Sequence, residues 1–189
     1  MSGKGTTNRD TILNTANRLF YERGYNQTSF SDIAERASIP KGNFYYYFKT
    51  KDDIFEGVVE QRMARIEQGL KEWSDVMPTP VARLKRFIQM LRNEAKDMSR
   101  YGCPLGTLNL ELGKAQPRLK TRARDMFDMY RQWIVAQFEA MAIKEADNMA
   151  MHFLGRAQGI AVLAYIYNDK AFIARETDEL DAWLDGLAM

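Results

Sequence analysis

The chain has 189 residues, 46% of them hydrophobic and 28% charged, and a formal net charge of +2. This composition is typical of a globular protein and excludes collagen-like, low-complexity and disordered chains. No apolar stretch approaches the length of a membrane span, and no signal peptide is recognisable at the start. The single cysteine, Cys103, cannot form an intramolecular disulfide and fits a reducing compartment, so we expect a cytoplasmic protein.

The first fifty residues predict three helices. Apolar residues recur every three or four positions from Arg9 to Arg23, and Gly24 is a typical helix end. Ser29 to Asp32 form a capping-box pattern before a second, short helix, and Pro40 suits the first turn of a third. Two short helices joined by a tight turn indicate a helix-turn-helix.

The predicted third helix and its flanks are rich in lysine and tyrosine and contain no acidic residue. At 100° per residue, Phe44 and Phe48 fall on one face, whereas Gly42, Asn43 and Tyr46 fall on the opposite one. We expect the two phenylalanines to lie in the core. The opposite face then presents bare backbone, an amide and hydroxyl groups, a surface that suits phosphates and base edges.

Charge is distributed unevenly along the chain. Residues 1–51 carry eight Lys and Arg against four Asp and Glu, whereas residues 169–189 carry two against six. The basic amino-terminal segment therefore favours an anionic partner at that end of the protein.

The rest of the chain is also predicted to be helical. A capping box at Thr50 to Asp53 opens a long fourth helix, and a polar break separates it from a helix at Val81–Met98. Later patterns predict a short helix or irregular turn at Leu105–Lys114 and helices from Pro117 to about Ala142, at Ala146–Tyr167 and at Asp169–Leu187. We predict an all-α fold with an N-terminal helix-turn-helix domain, residues 1–52, and a larger C-terminal helical domain for effector binding and dimerisation, residues 53–189.

Two stretches in the first sixty residues match a known sequence pattern. They are Thr28–Ala34 and Ile39–Phe55, and the second contains the spacing Lys-Gly-x-(aromatic)-Tyr-x-x-Phe-x-x-Lys. Together they resemble the TetR family of bacterial transcriptional regulators. The resemblance covers roughly residues 9–60, and the remaining residues match only in length and helical pattern.

The resemblance implies a homodimer that places two recognition helices in the major grooves of a near-palindromic, double-stranded DNA operator. It also implies that the C-terminal halves bind a small molecule, which releases the DNA. By motif position, the residues implied to approach bases and phosphates are Lys41, Gly42, Asn43 and Tyr45. Those implied to bind phosphates or the flanking DNA backbone are Tyr46, Tyr47, Lys51, Thr28 and Ser31. The exposed N–H groups at the start of the fourth helix also favour a phosphate beside Lys51.

The C-terminal half is rich in methionine and aromatic residues, which suit a pocket for an apolar or aromatic effector. The candidate pocket residues are Phe87, Met90, Tyr130, Trp133 and Phe153; alternatively, most of these side chains belong to the core. The helices at residues 146–167 and 169–187 are candidates for a dimer interface, because small residues let helices approach closely. The alternative is that residues 146–167 form an intramolecular core helix.

Cys103 lies in the segment Tyr101–Gly106, just before a predicted helix whose N-terminus favours a thiolate. The segment resembles one found in family members that sense oxidants or electrophiles, so Cys103 is a candidate sensor. The alternative is a small residue packed at a turn. With one histidine and one cysteine a zinc site lacks ligands, and we predict neither a metal nor a cofactor.

The sequence favours a ligand-responsive, sequence-specific DNA-binding regulator, most simply a repressor. Two alternatives stay open at this point: an effector-independent nucleic-acid-binding protein and a small helical enzyme. Paired carboxylates, a Ser/His/Asp set and a phosphate-binding glycine loop are not recognisable in the sequence, which disfavours the enzyme.

Overall fold

The computed structural model describes residues 7–187, with nothing beyond the backbone described at Lys41, Gly113, Lys114, Ala115 and Pro117. This part of the chain contains ten α-helices and no strand, which confirms the predicted all-α fold. In order, the helices are α1 (Asn8–Arg23), α2 (Phe30–Ala37), α3 (Lys41–Tyr47), α4 (Lys51–Val76), α5 (Pro80–Asn93), α6 (Ala95–Tyr101), α7 (Gly106–Ala115), α8 (Pro117–Ala140), α9 (Ala146–Tyr167) and α10 (Lys170–Leu187).

One predicted element is wrong. The pattern at residues 81–98 predicts a single helix, but α5 ends at Asn93 and α6 begins at Ala95. Glu94 between them has φ −89° and ψ 3°, and its N–H donates to the Met90 carbonyl. The break contains neither glycine nor proline, so the local sequence carries no signal for it.

By residue contacts, the chain divides into two units. The first unit comprises the chain up to Ala64 together with Thr107–Arg124, and the second comprises Arg65–Gly106 together with the chain from Asp125 onwards. The boundaries fall inside α4, α7 and α8. The first unit thus contains the predicted helix-turn-helix and also a later segment that chain order does not reveal.

The core of the first unit holds α1 and the start of α4 together. Phe20, Tyr25 and Phe55 form an aromatic cluster with ring centroids 5.3 to 6.3 Å apart. A Cβ on Gly57 of α4 would lie 2.7 Å from a Leu13 methyl carbon of α1, so the helices are in close contact there. This packing holds the start of α4 against the helix that precedes the helix-turn-helix.

The core of the second unit is built from α5, α6, α8, α9 and α10. Phe153 of α9 lies at its centre, with its ring 5.4 Å from Phe87 and 6.2 Å from Phe138. Burial of these apolar surfaces is the main driving force for packing. At the edge of the core, Arg92 of α5 binds Asp178 and Asp181 of α10 at 2.8 and 2.6 Å.

Candidate nucleic-acid interface and effector cavity

The capping box predicted for α2 is present and shapes the helix-turn-helix. The Ser29 hydroxyl accepts the Asp32 N–H at 3.1 Å, and the Asp32 carboxylate accepts the Ser29 N–H at 2.7 Å. The hydrogen bond with the Ser29 hydroxyl lowers the pKa of Asp32. At the other end of α2, Ser38 adopts a left-handed conformation with φ 54°, which turns the chain into α3.

The two faces of α3 are as the sequence predicts. Phe44 and Phe48 are buried, at 0% and 4% exposure, whereas Tyr46 is 79% exposed. Gly42 and Asn43 are exposed on the same side as Tyr46. The outer face of α3 therefore consists of backbone, an amide and a phenol, all accessible to a partner.

The tyrosines of α3 are held by aromatic contacts. Tyr45 stacks on Phe30 with centroids 5.0 Å apart and an interplanar angle of 21°, and Phe30 contacts Phe44 at 4.5 Å. Tyr46 and Tyr47 pack edge to face at 5.1 Å. Phe30 thus orients Tyr45 from behind, a role that sequence reasoning missed because Phe30 lies inside the capping-box pattern of α2.

Thr28 is a correction to the predicted interface. Its side chain is fully buried and its hydroxyl donates to the Gly24 carbonyl at 2.7 Å, so that it closes the turn after α1 and is unavailable to a phosphate. Ser31, one turn further along, is exposed and remains a predicted contact.

Lys51 begins α4, as predicted, but its ammonium group is directed into the protein. Nζ donates to the Tyr25 carbonyl at 2.9 Å and lies 4.1 Å from the centre of the Tyr25 ring. Desolvation lowers the pKa of Lys51. Asp52 and Asp53 add negative charge to the same helix end. Lys51 is therefore less available to a phosphate than its position at a helix start predicts. The side chain of Lys41, another predicted contact, lies outside the described residues.

A cavity of about 100 Å³ lies within the second unit. Its wall is mostly apolar, with a thiol, a phenol, an amide and a carboxylate among the lining groups. The lining residues are Phe87, Met90, Leu91, Glu94, Met98, Cys103, Pro104, Leu105, Phe127, Tyr130, Leu154 and Gln158. Phe87, Met90 and Tyr130 are predicted pocket residues that the structure brings together here.

Cys103 is on the wall of this cavity, next to the start of α7. Its sulfur accepts the Gly106 N–H and the Gln158 side-chain N–H, each at 3.4 Å. Tyr130 donates to the Met90 sulfur at 3.7 Å, and burial, together with the nearby Cys103, raises the pKa of Tyr130 to about 12. Tyr130 is thus a neutral phenol at physiological pH, and the cysteine sulfur is held by two N–H donors.

Comparisons with known proteins agree with this geometry. Residues 12–58 match the family model described as "Bacterial regulatory proteins, tetR family", and residues 80–178 match "Transcriptional regulator LmrA/YxaF-like, C-terminal domain". The chain belongs to the TetR family. TetR-family proteins are ligand-responsive, DNA-binding transcriptional regulators that act as dimers, and this chain has that class of function.

Relatives of this TetR-family chain are similar over most of its length. An HTH-type transcriptional regulator from the lacX 3′ region of Lactococcus lactis subsp. lactis is 26% identical over 173 residues, which span 85% of each protein. The HTH-type transcriptional repressor NemR of Escherichia coli (strain K12) is 23% identical over 178 residues, 92% of this chain and 88% of NemR. A TetR regulator structure from Legionella pneumophila superposes with a TM-score of 0.85 at 20% identity, covering 95% of this chain and 98% of that one, and thereby shows the fold.

Two other predicted pocket residues of this TetR-family protein lie away from the cavity wall. The Trp133 indole donates to the Ser74 hydroxyl at 2.9 Å and packs edge to face on Trp73. Phe153 is fully buried at the centre of the core. Helical periodicity places both on an apolar side but does not distinguish core from cavity wall. Gln158, a polar residue in the largely apolar α9, is the sequence feature that could have pointed to the cavity, which it lines.

The described residues also limit other kinds of site. Across residues 7–187, no three His, Cys, Asp or Glu side chains are grouped so as to hold a metal ion. None of the helices in that range combines the length and the apolar character needed to cross a bilayer.

Proposed function

We propose that this protein is a homodimeric repressor that binds a palindromic operator through α3. A small molecule that binds in the cavity beside Cys103 releases the operator. The observation that carries the proposal is the two-faced α3, in which buried Phe44 and Phe48 leave Gly42, Asn43 and Tyr46 exposed. Such a surface reads base edges and binds phosphates at close range. A protein that controls bacterial genes in this way works in the cytoplasm.

The proposed contacts follow from exposure and from the motif. Gly42, Asn43 and Tyr45 approach base edges, together with Lys41 on the strength of the motif alone. Phosphate contacts come from exposed tyrosine and serine hydroxyls, those of Tyr46, Tyr47 and Ser31. Lys51 contributes through the start of α4 more than through its ammonium, which Tyr25 already binds.

The experiment that tests the interface is Tyr46→Ala. We expect operator affinity to fall by about 1–3 kcal/mol with the fold intact, because the side chain is exposed and makes no core contact. Fluorescence anisotropy on the DNA flanking the protein's own gene measures the effect, with scrambled DNA as the reference. Tyr46→Phe separates the hydroxyl from the ring. Wild-type affinity for both variants would remove α3 from the proposed interface.

The effector is proposed to be small and apolar. Ligand pockets usually measure about 300–1,000 Å³, and a cavity of about 150 Å³ holds benzene. At about 100 Å³, the cavity beside Cys103 admits a compact molecule of a few heavy atoms without rearrangement.

Cys103 is proposed to sense electrophiles or oxidants that enter this cavity. Two N–H groups donate to its sulfur, one of them at the first residue of α7, and they hold the sulfur at the cavity wall. Cysteine reacts with electrophiles and oxidants through this sulfur. A covalent adduct in a cavity of this size would displace the surrounding walls, including the start of α7.

N-ethylmaleimide is a direct probe of this proposal. The thiolate sulfur bonds to one alkene carbon of the reagent, and the other carbon takes a proton from water. We expect modified wild-type protein to bind its operator at least tenfold more weakly, whereas Cys103→Ser keeps its affinity after the same treatment. Full modification of Cys103, shown by mass spectrometry, without a change in operator affinity would rule out the sensor.

The exposed side of α9 is the proposed dimer surface. It carries large apolar side chains that are 42% to 75% exposed: Met151, Val162, Leu163, Tyr165, Ile166 and Tyr167. A Cβ at Gly155 or Gly159 would meet no atom within 4 Å, so a second copy of α9 has room to approach closely. Exposed small residues on α10, Ala171, Ala174 and Ala182, extend this surface.

A further inference from the structure

Glu111 of α7 binds the turn between α1 and α2. Its Oε2 accepts the Tyr25 N–H at 2.8 Å and its Oε1 accepts the Asn26 N–H at 2.6 Å. The partners are 86 and 85 residues apart in sequence, so this is a tertiary contact inside the first unit. Hydrogen bonds from N–H groups to a carboxylate are among the stronger ones in proteins.

Gly24, in the turn between α1 and α2, leaves space for this carboxylate. Gly24 has φ +89°, a conformation that side-chain-bearing residues rarely adopt, and a Cβ there would lie 2.8 Å from the Glu111 Oε2. The absence of a side chain at Gly24 therefore allows Glu111 to reach both N–H groups.

The polar groups of Tyr25 are bound from two helices at once. Its N–H goes to Glu111 of α7, while its carbonyl accepts from Lys51 and its hydroxyl donates to Asp52, both of α4. The Tyr25 side chain is fully buried, and burial, reinforced by Asp52, raises its pKa well above the usual value. The turn is thereby fixed to the start of α4 and to α7.

The end of α1 and the start of α2 are both capped without Glu111. The Gly24 N–H already ends α1 on the Phe20 carbonyl, and the capping box of Ser29 and Asp32 already begins α2. The contact therefore fits a role in holding the turn in one position better than a role in forming it.

We propose that Glu111 is a positioning residue for DNA binding: it holds the α1–α2 turn so that α3 meets the operator in the correct place. The inference rests on the proposed DNA-binding function.

The test compares Glu111→Ala with Glu111→Gln, which keeps one acceptor oxygen, and with Glu60→Ala, an exposed carboxylate of α4 in the same unit. DNA is negatively charged, so the loss of a carboxylate by itself should strengthen DNA binding. A weaker affinity in Glu111→Ala therefore cannot be an effect of charge alone. We expect Glu111→Ala to bind its operator about tenfold more weakly, Glu111→Gln to be intermediate, and Glu60→Ala to lose nothing.

Two further readouts separate positioning from folding and from phosphate contact. Hydrogen exchange at the Tyr25 and Asn26 amides should accelerate in Glu111→Ala, while circular dichroism and the α3 amides stay as in the wild type. The slope of log affinity against log salt should be unchanged, because Glu111 neutralises no phosphate.

Wild-type operator affinity in Glu111→Ala would overturn the inference. So would an affinity loss in both variants that only follows a loss of helical content. Tyr46→Ala in parallel distinguishes the two proposals: if it also binds normally, the DNA interface itself is wrong, whereas if it alone is weakened, only the role of Glu111 fails.

Discussion

Two glycines of the first unit have opposite surroundings. Gly24 has a positive φ, and its missing Cβ makes room for the Glu111 carboxylate. Gly42 lies in α3 without a positive φ, and a Cβ there would meet no atom within 4 Å. The fold therefore requires a glycine at position 24, whereas it leaves room for a side chain at position 42.

At this scale we predict that Gly24→Ala and Gly42→Ala have opposite effects on stability. Gly24→Ala should lower the free energy of unfolding by roughly 1–3 kcal/mol, because of backbone strain and the clash with Glu111. Gly42→Ala should raise it by roughly 0.5–1 kcal/mol, because alanine favours the helix, while operator affinity falls. Urea unfolding measures both. Destabilisation by Gly42→Ala would show that the outer face of α3 is not open.

Three helices of the first unit begin with the same reciprocal cap. Asp10, Asp32 and Asp53 each accept N–H groups at the start of α1, α2 and α4. Hydrogen bonds to these carboxylates, chiefly from the Thr7 and Ser29 side chains and the Thr50 backbone, lower all three pKa values. Each carboxyl therefore binds its proton more weakly in the folded than in the unfolded state.

The sign of the resulting pH dependence follows from linkage. A carboxyl with a lowered pKa stabilises the fold fully above its unfolded pKa, about 3.9 for aspartate, and this stabilisation is lost as pH falls through the lower, folded pKa. We predict that the urea midpoint drops below about pH 4, and drops less in Asp32→Asn. Ser29→Ala should cost about 1 kcal/mol at pH 7 and reduce the same acid sensitivity. An unchanged pH profile in both variants would contradict the capping argument.

At the scale of the whole molecule, the exposed apolar side of α9 is the surface proposed for dimerisation. A surface that holds Ile166 at 61% exposure and Tyr167 at 75% is unusual for a monomer. A second copy would cover it, and the dimer would then carry two copies of α3. A dimer that binds both half-sites of an operator has a higher affinity than a monomer on one half-site, even though each α3 makes the same contacts.

The prediction at this scale is that Ile166→Glu gives a monomer. A charge buried in an apolar interface costs more than the contact contributes, so the dimer should dissociate at micromolar concentration. Analytical ultracentrifugation measures the mass, and binding to the palindrome should weaken toward that of a single half-site. Lys144→Glu, an exposed change between α8 and α9, is the control and should stay dimeric. If Ile166→Glu is still a dimer, the dimer interface lies elsewhere on the protein.

Much of the candidate interface could be predicted because its signals are local. The spacing of Phe44 and Phe48 determines which side of α3 is buried, and the capping patterns locate the starts of α2 and α4. Thr28 and Lys51 could not be placed in the same way. Their orientation depends on the carbonyl groups of Gly24 and Tyr25, which accept hydrogen bonds from these side chains within the protein.

The sequence by itself determined the order and limits of nearly all the helices, the two faces of α3 and the family, because periodicity, caps and motif spacing act over a few residues. Only the tertiary structure decided the break at Glu94, which aromatic residues line the cavity, and that Cys103 belongs to its wall. It also brought Glu111 to the α1–α2 turn across more than eighty residues. No local pattern encodes such contacts, because they depend on where the whole chain folds.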